Sequence, residues 1–217
     1  MRFNRHVAGG TFLALPLAVF LRIRKDSGFS AVELLIVVAI LGSMAAIGIP
    51  LSSGMIDDIK IRGDAQALSA AVAQTKLTSS AKFTHARLFV NLATNTYRIQ
   101  IWNRTGTPGW LAASDDMLLS DRSRFGFGSV TAPPPNTLAT LAQSPACLDD
   151  LGAAIASTAC VIFNSRGVSV LAAGPPATTQ ALYLYGPSGV YAIILGATGQ
   201  LQVWRTTQTG ANSWKQK

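Results

Sequence analysis

Glu33 is the only charged residue among the 21 that run from Phe29 to Ile49. A carboxylate at the centre of a membrane helix costs at least ~2.5 kcal/mol on insertion scales, and less near the interface. The chemistry open to Glu33 is therefore electrostatic pairing. One helical turn separates it from Phe29, so a positive group at residue 29 would share its face. Other chemistry is scarce. The only histidines are His6 and His85, too few to suggest a ligand set. Asp115, Asp116 and Asp121, and the pair Asp149 and Asp150, could offer hard oxygens to calcium, although solvated loop acids are the simpler reading. No glycine-rich phosphate loop and no nucleophile elbow is present. The expectation is a protein that is not an enzyme, with no catalytic residue, no metal and no cofactor.

The element that must carry Glu33 is a helix. At 1.5 Å per residue the run covers roughly the 30 Å of a bilayer's hydrocarbon core. Arg22, Arg24 and Lys25 precede it and hold that end on the cytoplasmic side. An ordinary signal anchor, with Glu33 protonated or near the headgroups, would also fit. Lys25-Asp26-Ser27-Gly28-Phe29-Ser30-Ala31-Val32-Glu33-Leu34-Leu35 resembles the prepilin processing signal of type IV pilins and pseudopilins. Ser30, Ala31 and Val32 are milder variants of the usual residues.

That resemblance implies cleavage after Gly28 by a prepilin peptidase and methylation of the new amine on Phe29. It gives Glu33 the place of the acidic residue that pilins carry, and Pro50 that of a helix-bending proline. In a filament, the amine of an incoming subunit would pair with Glu33 of one already docked. The implied partners are other pilin or pseudopilin subunits, the peptidase, an inner-membrane assembly platform and membrane lipid. The implied location is the bacterial inner membrane, crossed once, with the C-terminal domain in the periplasm and assembly into a pilus or a type II secretion pseudopilus.

Four segments follow. Residues 1–28 form a leader that carries half of the formal net charge of +8. Its second apolar stretch, Thr11 to Leu21, is too short to span a bilayer and contains Pro16. A start codon assigned too far upstream would explain the leader's length equally well. Residues 29–50 form the transmembrane or filament-core helix. Residues 51–82 continue it, with Ile61, Ala65, Leu68 and Val72 marking one apolar face and Asp57 and Asp58 suiting the positive end of a helix that restarts after Pro50. Residues 83–217 form a β-rich periplasmic domain.

In that domain, Arg87–Leu92 and Tyr97–Trp102 read as a hairpin around Ala93-Thr94-Asn95-Thr96. Residues 103–159 read as a long irregular insertion. Strands return at 161–164, 168–171, 181–185, 190–195 and 201–205, joined by short turns and so antiparallel. The fold class expected is α+β, pilin-like: a long N-terminal helix packed on an antiparallel sheet.

Cys147 and Cys160 fall in the part placed outside the cytoplasmic membrane, where a pair is most simply a disulfide. A metal site or a reactive thiol is the alternative. Val161-Ile162-Phe163-Asn164-Ser165-Arg166-Gly167 resembles a segment of the minor pseudopilin H and FimT-like group, and Tyr191 through Val203 resembles that group's final hairpin. FimT-like pilins that take up DNA tend to carry Gly-Arg-x-Arg in that hairpin. Gly199-Gln200-Leu201-Gln202 stands there instead. DNA is nevertheless the competing partner: no acid follows Asp150, while Arg166, Arg205, Lys215 and Lys217 do, with Trp204 and Trp214 among them.

Overall fold

The computed structural model describes residues 29–172, 174–207 and 213–217, and the side chains of all of these except 47–53. The leader, Gly28 and the side chain of Pro50 lie outside the described residues. The chain divides into two compact units, one ending at Met44 and the other beginning at Ala45.

α1 spans Ala31–Ala81. It starts with a reciprocal cap at Ser30 and ends in a Schellman turn, in which Thr84 N–H donates to Ser79 O at 3.2 Å and Phe83 N–H to Ser80 O at 3.3 Å. Phe83 takes the left-handed position of that turn, with φ 50°. Among the described residues eleven strands follow: β1 (Ala86–Asn91), β2 (Thr96–Asn103), β3 (Gly109–Ala112), β4 (Met117–Leu118), β5 (Arg124–Phe125), β6 (Thr158–Phe163), β7 (Ser169–Val170), β8 (Gln180–Gly186), β9 (Gly189–Leu195), β10 (Leu201–Thr206) and β11 (Lys215–Gln216).

They form two antiparallel sheets. The first has the order β3-β2-β1-β6-β7, with β4 also paired to β2; the second has the order β11-β10-β9-β8-β5. The expected hairpin is β1 and β2, in register from Ala86 opposite Ile101 to Asn91 opposite Thr96.

Both sheets turn a face toward the C-terminal part of α1. Ile61, Ala65, Leu68 and Val72 are all buried and pack with Leu88, Val90 and Ile99 of the first sheet and with Leu182, Leu184, Tyr191 and Ile193 of the second. The apolar face read from the spacing is the face that packs. Asp57 and Asp58 act otherwise than expected. Since α1 has no second start after Pro50, no helix end faces them; Asp57 pairs with Arg122 at 2.6 Å and Asp58 pairs with Arg205 of β10.

The outer faces of the sheets are covered as well. Phe127, Val130, Leu138 and Leu141 lie on Ala181, Tyr183, Ala192 and Ile194 of the second sheet, joined by Trp214. Cys147 and Ile155 lie on Phe89, Trp110, Cys160, Ile162 and Val170 of the first. Residues 103–159 thus contain three short strands and the outer cover of both sheets, and β6 begins at Thr158. Burial of both faces explains why β9 reads as the unbroken apolar run Val190–Leu195, with odd positions facing α1 and even positions facing the cover. At the β8–β9 turn Gly189 is required: with φ 153°, a Cβ there would sit 2.5 Å from Thr206 O.

Candidate assembly interface

The helix start is built by Ser30 and Glu33. Ser30 Oγ accepts from Val32 N–H at 3.3 Å, and Glu33 Oε2 accepts from Ser30 N–H at 3.3 Å. This is the reciprocal Ser-x-x-Glu capping box, which satisfies two of the donors a helix start leaves unpaired. The pattern is legible in the sequence, where Glu33 otherwise stands out as a lone charge in an apolar run. Within the chain, then, its carboxylate closes the helix end. It lies on the exposed surface, open to a second charge as well.

The residues after it are apolar on every side. Leu34, Leu35, Ile36, Val37 and Val38 are consecutive, so at 100° per residue they go round the whole helix, and all five are exposed, from 48 to 66%. Phe29 is 81% exposed. A helix apolar all round belongs inside a protein core, a helical bundle or a membrane. Among the described residues no helix is long and apolar enough to cross a membrane.

Cys147 and Cys160 form a disulfide, with Cα atoms 4.9 Å apart, that ties the outer cover to β6. Among the described residues no group of three potential metal ligands occurs. Asp116 pairs with Arg98 at 3.1 Å, Asp149 Oδ1 accepts from Leu151 N–H and Ala153 N–H, and Asp150 accepts from Trp110 N–H.

The four basic residues read as a DNA contact are only partly brought together. Arg205 and Lys215 are register partners on β10 and β11. Lys217 lies just beyond, while Arg166 sits in an Asn164-capped turn after β6 of the other sheet. Arg205 is paired with Asp58. Trp214, named with them, is buried, and its indole N–H donates to Ala132 O at 3.0 Å.

No known family profile matches the chain, and no curated protein matches it. Among solved structures the chain is similar to the minor pseudopilin EpsH from the type 2 secretion system of Vibrio cholerae, at 10% identity and a TM-score of 0.43, over 70% of this chain and 99% of that one. A likeness of that size carries no functional argument.

Proposed function

We propose that this chain is a minor pilin or pseudopilin, a non-catalytic subunit of a type IV pilus or a type II secretion pseudopilus. It is made as an inner-membrane precursor, cut after Gly28 and inserted into a filament through residues 29–50. The observation that carries the reading is the apolar circumference at Leu34–Val38, exposed on every side, directly after Phe29 and Glu33. Each such side chain gains about 1.5–3 kcal/mol on leaving water, so the segment needs lipid or other helices around it. Cleavage would place a positive α-amino group on Phe29 of each subunit, and methylation would keep that charge. Glu33, already fixed by its cap, is the acceptor for that amine on a neighbouring subunit.

The test is the amino terminus of the protein purified from membranes of its own host. The expected mature chain begins at Phe29 and carries one methyl group on its amine. Glu33→Ala should be cut normally and fail to enter filaments or tip complexes. A membrane form that still begins upstream of Gly28 would overturn the proposal, as would normal co-assembly of the variant.

A further inference from the structure

Between the disulfide-tied cover and the outer face of the first sheet lies a cavity of about 380 Å³, within the size range of small-molecule sites. His85, Arg87, Trp102, Trp110, Asp149 and Asp150 supply its polar and aromatic lining. Arg87 is only 3% exposed. Its Nε donates to Gln100 Oε1 at 2.7 Å, its Nη1 to Leu148 O at 2.6 Å, and its guanidinium lies 4.1 Å from the centre of the Trp110 ring. Trp102 meets Trp110 edge to face at 5.3 Å.

The walls are held in place. Asp150 Oδ1 accepts from Trp110 N–H at 3.0 Å, and the Asp150 carboxylate lies close over Gly109. The described hydrogen bonds leave Arg87 Nη2, Asp149 Oδ2 and Asp150 Oδ2 unused.

Charge decides the ligand class. Burial pushes Arg87 down to about 10, which leaves it cationic at neutral pH. Burial and then Arg104 hold His85 below its ordinary value, so it is neutral. The lining sets one cation, Arg87, against two carboxylates, and Arg98 and Arg104 act on Arg87 and His85 from nearby, so the opposing charges offset one another and favour neither an anion nor a cation. Donors and acceptors lining one cavity together with Trp102 and Trp110 instead suit a ring bearing several hydroxyls, each both donor and acceptor. Its C–H face would lie on the electron-rich face of an indole.

We propose that this cavity is a binding site for one neutral sugar ring. Arg87, Asp149 and Asp150 hydrogen-bond neighbouring hydroxyls and Trp102 supplies the stacking face. The inference is independent of the filament reading, because it rests on the β-rich unit alone.

The experiment follows the tryptophan indole N–H resonances of the full chain in a detergent without a sugar headgroup. Glucose, galactose, mannose and N-acetylglucosamine are titrated separately, with sodium benzoate as the anionic probe. At least one sugar should shift the Trp102 and Trp110 signals saturably and leave Trp214 in place, while benzoate shifts neither. Trp102→Ala should weaken that binding about fivefold or more, as loss of one stacking ring does for a nucleobase, with the Trp214 signal unchanged as the control for folding. The proposal is overturned if none of the sugars moves the two signals, if benzoate moves them, or if Trp102→Ala binds as tightly as the parent chain.

Discussion

Asp58 on α1 and Arg205 on β10 form an ion pair across 147 positions of sequence. It fastens the helix to the second sheet. The pair is partly shielded, with side chains 33% and 24% exposed. Asp58→Ala and Arg205→Ala should each cost about 1 kcal/mol, near the upper end for pairs in contact with solvent. A double-mutant cycle in urea should return most of that as coupling, shrinking as salt is raised. Additive losses would mean that the two residues act separately.

Leu68 is completely buried where α1 meets both sheets. Leu68→Ala removes buried carbons and leaves a cavity, so the expected loss is about 2–5 kcal/mol. Ala67, one residue away, is exposed. Ala67→Ser should stay within roughly 0.5 kcal/mol of the parent chain. Thermal unfolding of the two variants side by side checks the packed face.

The Cys147–Cys160 bridge closes a loop with a sequence separation of 13. Replacing both cysteines by alanine should cost about 3 kcal/mol. The loss should be local at first. Hydrogen exchange should rise at Ile155 N–H and Cys160 N–H, which donate to Cys147 O and Pro145 O, before β8 and β9 are affected. Uniform exchange throughout the β-rich unit would show that the cover and the sheets unfold together.

The Tyr183 hydroxyl is buried with no hydrogen-bond partner among the described residues, and burial pushes its pKa up to about 12. Tyr183→Phe removes an unsatisfied group and should be neutral or stabilising, by no more than about 1 kcal/mol at pH 7. The alkaline sign follows from the raised folded value. The protonated phenol's contribution is complete below the unfolded pKa of about 10 and is lost as pH rises toward 12. The parent chain should therefore lose stability relative to Tyr183→Phe over that window, as measured by denaturant midpoints at each pH.

Much of the architecture could be read from spacing. Ile61, Ala65, Leu68 and Val72 repeat at helical intervals because one side of α1 packs and the other does not. The β1–β2 hairpin was legible for a similar reason: Asn95, with φ 56°, suits a tight turn between two β-rich runs. Residues 103–159 resisted reading because their short strands and covering apolar residues have no period of their own. Phe127, Val130 and Leu141 are placed by the faces of β8 and β9. Arg87 was invisible as a site residue for the same reason, since in sequence it is one polar position in a strand.

By itself, the sequence determined the local matters: an apolar run with one acid near its start, a Ser-x-x-Glu cap, the packing face of α1 and the strands with their short turns. Backbone geometry and side-chain periodicity act over a few residues, and that range is visible in a string of letters. Only the tertiary structure decided that there are two sheets, that Asp58 meets Arg205, that Trp214 is interior and that a cavity opens over Arg87. Those outcomes join residues far apart in the chain, and they depend on which apolar faces cover one another once water is excluded.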